Sequence, residues 1–401
     1  MSNRRRRNRG MLAGLAVICG VALIMAPLML RSSSGALAHA GTHEDAHGSV
    51  QAAGTYSPQT RVYYIAAEEL PWNYAPSGKD QITGKAFDDT SNVFVKNGPD
   101  RIGSTYIKAL YREYTDATFT TLKPRPAEWQ HLGMLGPMVR AVVGDNVEIV
   151  LKNKTTRPVT IHMHGFRYKK DAEGAPYVDG TGASVKGDDD VQPGHTYTYK
   201  YEVPETAGPG PMDGSSVMWM YHSHYNEVAD DYAGLVGPVI VTAADKANPD
   251  GTPTDVDREF VVQFKVSDEN ASPYLEKNIQ KYAKDPKSVN VEDEDFGESN
   301  LMHTMNGYVY GNLPLSTMTM KRGEKVRWYL SGMGTEVDLH TPHWHGNTVI
   351  ANGMRTDVVS VLPMSMVTAD MQADNPGIWL FHCHVNDHIT AGMIARYQVV
   401  E

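Results

Sequence analysis

The stretch Trp379-Leu380-Phe381-His382-Cys383-His384, carried on through His388 to Met393, constrains this chain more than any other. Side chains of an extended segment alternate between two faces, so Cys383 points one way while His382 and His384 point the other. A strand running into a loop therefore lets one thiolate bind one metal while its two neighbours bind others. The loop can return His388 and Met393 to the thiol, which would build a trigonal site of one cysteine and two histidines with a weak axial thioether, the blue-copper arrangement. That set still lacks a histidine, and Asp338-Leu339-His340-Thr341-Pro342-His343-Trp344-His345-Gly346 has three to offer.

A lone histidine is usually a satisfied structural group. Here 10 of the 16 histidines fall in four clusters: His162 and His164; His222 and His224; His340, His343 and His345; His382, His384 and His388. Clustering of that kind points to metal. The chain has two cysteines, and Cys19 lies in an apolar N-terminal run, which leaves Cys383 as the only thiol of a processed protein. No intrachain disulfide is then available, and the thiol is free to serve as a ligand.

A length of 401 residues is enough for two ordinary domains with full cores, and 41% hydrophobic with 21% charged residues marks a globular chain outside its N-terminus. The net charge of -10 argues against a nucleic-acid partner.

Residues 1–40 read as an export signal or membrane anchor: Arg4, Arg5, Arg6, Arg7 and Arg9, then the apolar run from Met11 to Leu30, then the small residues of Ala36-Leu37-Ala38-His39-Ala40. The consecutive arginines permit the twin-arginine route, and the apolar run is long enough to span a bilayer uncleaved. Either way the mature part lies outside the cytoplasm: extracellular, at the cell surface or periplasmic. Residues 41–59 are polar and read as a flexible linker.

Short alternating segments broken by Gly and Pro follow, such as Asn146-Val147-Glu148-Ile149-Val150-Leu151 and Thr196-Tyr197-Thr198-Tyr199-Lys200-Tyr201. No long helical period competes, so the chain reads as all-β. The halves repeat each other. Residues 60–245 and 246–401 each carry a Gly-Asp or Gly-Glu turn before a strand (Gly144-Asp145, Gly323-Glu324), an HxH cluster and a final HxH before a small-residue turn. The first half has Ser223 where the second has Cys383, so only the second can hold a blue-copper centre.

Setting aside His340, Cys383, His388 and Met393 leaves eight histidines in four HxH pairs, four from each half. Neutral imidazoles suit copper, and a site split between domains lies at an interface, where binding sites are often found. Eight imidazoles match three coppers as two, three and three. A copper nitrite reductase would place its Cys in the first domain and need only three interface histidines.

These motifs resemble the multicopper oxidases, in particular the two-domain ceruloplasmin/hephaestin-like type. The resemblance covers most of the chain after residue 60 and includes YYIAAEELPWNYAPSGKD (63–80), YREYTDATFT (111–120), HLGMLGPMVRAVVGD (131–145), RPVTIHMHG (157–165), ESNLMHTMNGYVYGNLP (298–314), WYLSGMGTEVDLH (328–340) and GIWLFHCHVNDHITAGM (377–393). It implies two cupredoxin-like Greek-key β-sandwich domains and four coppers per subunit. The type 1 copper falls to His340, Cys383, His388 and Met393, and the type 2 copper to His162 and His343. The type 3 pair falls to His164, His222, His224, His345, His382 and His384. Cys383 would collect an electron and its neighbours His382 and His384 would relay it to the site where dioxygen becomes water. A two-domain chain would complete that site only as a homotrimer, with domain 1 of one copy facing domain 2 of the next.

The same resemblance points to Glu298, His303, Glu336 and Asp387 as a divalent-metal site beside the type 1 copper, and so to Fe(II) as the donor; Cu(I) and, as in laccases, phenols are the rivals. Asp188 and Asp189 resemble part of a calcium site, although Val185 stands where the family has a glutamine. Copper sequestration without turnover is the alternative outside enzymes. Adhesive relatives have lost ligands that this chain keeps.

Overall fold

A computed structural model describes residues 56–182 and 185–401. The export segment, Cys19 and most of the linker read from the sequence lie outside the described residues. The end of that linker is tied down: Tyr56 donates its hydroxyl to Asp145 Oδ1 at 2.7 Å, and the Arg61 guanidinium pairs with the same carboxylate at 2.6 Å.

Four sheets make up the described chain, two from each half. In the first half, a five-stranded sheet runs in the order Thr105–Tyr114, Thr60–Asn73, Asn146–Lys154, Thr196–Glu202, Arg167–Tyr168, and a four-stranded sheet in the order Val139–Val142, Val236–Thr242, Ser216–His222, His162–Met163. In the second half, a six-stranded sheet runs Leu301–Met305, Arg258–Asp268, Lys325–Gly332, Met366–Gln372, Val349–Ala351, Met354–Thr356. Its four-stranded partner runs Thr319–Lys321, Ile394–Val400, Gly377–Cys383, Pro342–Trp344.

The repeat seen in the sequence is a repeat of topology. Thr60–Asn73 pairs in parallel with Asn146–Lys154, as Arg258–Asp268 does with Lys325–Gly332; Val139–Val142 lies parallel to Val236–Thr242, as Thr319–Lys321 does to Ile394–Val400. Each half is a Greek-key sandwich of the cupredoxin kind.

Period-two burial produces these sheets. Along Asn146–Lys154, Val147, Ile149, Leu151 and Asn153 are buried and their neighbours are not; slipping the register by one residue would expose all four. The inward faces form one apolar core per half, centred on Ile149, Leu151 and Val239 in the first and on Phe264, Trp328 and Phe381 in the second. A further core joins the halves through Leu132, Leu135, Met218, Val261 and Tyr329. The α-helices are short: the longest among the described residues is Leu275–Tyr282, and no described helix is long and apolar enough to cross a membrane.

Candidate metal centres

The strand Gly377–Cys383 ends against Pro342–Trp344, with Cys383 opposite Pro342 and His382 opposite His343. Alternation then does what the sequence requires: Cys383 turns into the core, fully buried, while His382 turns to the other face. The one-turn helix Asn386–Thr390 returns His388 to the thiol. Gly392 ends that turn with φ +113°, where the Tyr310 ring would lie 3.0 Å from any added Cβ, so both backbone and space demand glycine. The loop is closed by Cys383 N–H donating to Met393 O at 3.1 Å and Met393 N–H to His388 O at 2.9 Å.

His340, Cys383 and His388 form one compact group, with a ligand atom from each within 4.8 Å of the others. The two Nδ1 atoms are 3.2 Å apart, and Cys383 Sγ lies 3.9 Å from His340 and 3.7 Å from His388. Burial pushes the thiol pKa up, but the His340 and His388 imidazoles and the N–H of Thr341 outweigh it and bring it down to about 6. Cys383 is therefore mostly thiolate at neutral pH, the form that binds metal. Met393 is fully buried, and its backbone is the one that bonds Cys383 and His388.

The other eight histidines form two sets of four. In the first half, His164 and His222 bring their Nε2 atoms to 3.1 Å, and the His224 ring lies 5.2 Å from His162. In the second, His345 and His382 do the same at 3.0 Å, and the His384 ring lies 5.4 Å from His343. The supports match as well. His162 and His343 donate Nδ1–H to the carbonyls of Glu173 (2.7 Å) and Asp357 (2.9 Å); His222 and His382 donate theirs to Ser223 O (3.1 Å) and Cys383 O (2.7 Å). Each bond fixes a tautomer and leaves the Nε2 lone pair available as a donor atom. Burial lowers the pKa of His222 to about 3 and of His164 to about 4, so both are neutral at any ordinary pH, the form in which an imidazole can bind metal.

Among the described residues, no compact group draws on both sets: His162, His164 and His222 form one, His343, His345 and His382 another. The two sets are therefore separate groups within the described chain. The donor types fit copper in both places, a thiolate with imidazoles in one and imidazoles alone in the other.

The acidic candidates are more dispersed. His303 is 8% exposed, and its ring lies 5.2 Å from that of His388. Asp387 is exposed on the His388 turn, Glu298 is exposed on the helix Glu294–Ser299, and Glu336 is exposed in the loop before His340. None of the four joins a compact group of ligand atoms among the described residues. Asp188 is fully buried; its Oδ2 accepts from Gly174 N–H at 2.8 Å, and its Oδ1 has no partner among the described residues. Asp189 is engaged by Lys186 at 3.2 Å.

Sequence reasoning passed over Asp338, whose Oδ1 accepts from His340 Nε2 at 3.1 Å. It also passed over Asp230, which receives the Ser223 hydroxyl at 2.6 Å in the half without a thiol. The first had a signal, since residues two apart on an extended segment share a face.

Two family models match the chain, both described as multicopper oxidase, over residues 117–246 and 280–401. The chain is 47% identical to human ferroxidase HEPHL1 over 86% of its own length and 30% of the relative's. For human hephaestin the identity is 44% (85% and 29% covered), and for human ceruloplasmin 43% (84% and 31%). The chain spans about 30% of the length of these relatives. Two solved multicopper oxidase structures share its fold with TM-scores of 0.53 and 0.51 at 18% and 19% identity, covering 85% of this chain and 89% and 86% of theirs. With two cupredoxin sandwiches, a buried group of one cysteine and two histidines, and paired HxH sets on the page, these matches make the chain a member of the multicopper oxidase family.

Proposed function

We propose that this is an exported ferroxidase, coupling one-electron oxidation of Fe(II), with Cu(I) as a further donor, to four-electron reduction of O2 to water. Its domains are 60–245 and 246–401. His340, Cys383, His388 and Met393 hold the type 1 copper; His162 and His343 hold the type 2; His164, His222, His224, His345, His382 and His384 hold the type 3 pair. Copper, when bound, supplies the one-electron redox chemistry and the site of O2 reduction.

One observation carries the reading. Cys383 belongs to the buried group, yet its neighbours His382 and His384 in the chain belong to the four-histidine set on the other face. The polypeptide itself therefore gives a short covalent path between the two. The two four-histidine sets, separate within a chain, support a homotrimer in which the His162 set of one copy faces the His343 set of another.

For the donor, His303 stands against His388 and Asp387 precedes it, while Glu298 and, from a neighbouring copy, Glu336 complete a set of carboxylates and imidazole. Such hard oxygens bind Fe(III) more tightly than Fe(II), which favours oxidation of the substrate. One relative, a ferroxidase by name, supports the same donor. The partnerless Oδ1 of Asp188 supports a calcium ion there, with Asp189 shared with Lys186.

The test is steady-state kinetics on Fe(II), Cu(I) and a bulky phenol, side by side, with O2 uptake recorded. Glu298→Ala combined with Asp387→Ala is expected to lower kcat/KM for Fe(II) by roughly tenfold or more, ~1.4 kcal/mol of transition-state stabilisation, and to spare the phenol. Equal losses would argue against a dedicated iron site. A protein that takes up no O2 on addition of ferrous salt would be a copper store.

A further inference from the structure

We propose that Asp338 is the positioning residue of the buried group formed by Cys383, His340 and His388: its carboxylate fixes the tautomer and orientation of His340 and places a negative charge beside the metal. The inference rests on the reading of that group as the type 1 copper site.

Asp338 and His340 are 0% and 1% exposed. Both carboxylate oxygens of Asp338 already accept backbone N–H groups, from Val266 and Thr335, so His340 donates Nε2–H to Oδ1, at 3.1 Å. The ring then has its lone pair on Nδ1, the atom that faces His388 Nδ1 at 3.2 Å and Cys383 Sγ at 3.9 Å. The carboxylate is itself held still. Val266 N–H donates to Oδ1 at 2.7 Å and Thr335 N–H to Oδ2 at 2.8 Å, which ties the His340 support to the strand Arg258–Asp268 and to its own loop.

Two further observations separate this from an incidental contact. Among the described residues, no lysine or arginine lies within ion-pair distance of Asp338; its only ion-pair partner is His340. A buried carboxylate without a cation is costly unless it is hydrogen-bonded, and three N–H donors, from Val266, Thr335 and His340, meet this one. Gly334 is built around it. Its φ is +124°, and a Cβ there would sit 2.0 Å from Asp338 Oδ2, so the loop reserves this space for the carboxylate. Among the described residues His388, the second imidazole of the group, has no such support; its ring neighbours are the imidazoles of His303 and His340.

Asp338→Asn keeps the shape and removes the charge. Losing a negative charge next to the metal disfavours Cu(II) against Cu(I), so the copper-loaded full-length variant should keep its copper content while its one-electron equilibrium shifts at least tenfold toward Cu(I), about 59 mV upward in potential. Its blue band should move, and Asp338→Glu should recover part of both changes. A folded Asn variant with wild-type potential and band would overturn the proposal. A second measurement needs neither a variant nor copper: nitrogen-15 NMR of His340 in the metal-free wild-type chain at alkaline pH. The proposal requires the Nε2–H tautomer, and the Nδ1–H tautomer would refute it even if the copper assignment itself failed.

Discussion

Cys383→Ser is expected to abolish the blue absorption band and reduce Fe(II) oxidation to background, with one copper lost per chain and the histidine-held coppers retained. The thiolate is the one soft anionic donor of its group, and a serine hydroxyl does not ionise at neutral pH to replace it. Folding should survive, because the first half already contains the variant. There Ser223 accepts from Thr160 N–H at 3.0 Å, just as Cys383 accepts from Thr341 N–H at 3.4 Å, and Ser223 and Cys383 both donate N–H across the loop at 3.1 Å, to Leu235 O and Met393 O. The natural serine half has Val159 and Leu235 at the places of His340 and Met393, and closes its hydroxyl onto Asp230. Visible absorption, elemental analysis and Fe(II) turnover on the same sample make the check. A blue band that persists would remove Cys383 from the ligand set.

The largest effect on stability should come from Lys108. Its ammonium lies 2.5 Å from Glu269 Oε1, with side chains 1% and 0% exposed, and also donates to Tyr232 O. Burial pushes the Glu269 carboxyl pKa up and that of Lys108 down, each opposed by its partner's charge. Breaking such a pair from one side leaves a buried charge unmatched, at a cost of about 3–5 kcal/mol. Tyr74 would remain the sole donor to Glu269, whose Oε2 already has no partner among the described residues. Lys108→Met is therefore expected to lose that much in urea unfolding. Lys277→Met is the control, since Lys277 is half-exposed in its pair with Glu69 and should cost less than about 1 kcal/mol. Similar losses from the two would contradict the account of the buried pair.

Both predictions show where sequence reading reaches and where it stops. The sandwich architecture was legible because alternation is local: Val147, Ile149 and Leu151 announce their own strand. The internal repeat was legible from Gly144-Asp145 and Gly323-Glu324, and the pairing scheme repeats with it. The histidines that gather were visible as HxH pairs, since period two places both members on one face. What fixes their tautomers was not visible, because the acceptors are backbone carbonyls, Glu173 O and Asp357 O, which any residue supplies. Lys108 and Lys265 were also illegible. Each sits in a strand as an apparently solvent-facing residue, yet each is buried against a carboxylate, Glu269 and Asp231, where the two halves close over both faces. Glu298 and Glu336 match a motif in sequence, and among the described residues both are exposed and neither joins a compact group of ligand atoms.

By the proposed assignment twelve side chains hold four coppers for each chain, and the Cys383 thiolate is the path by which the incoming electron leaves the first of them. Elemental analysis of the purified, metal-loaded assembly tests it most directly. Four coppers per chain are expected; one or none would overturn the assignment.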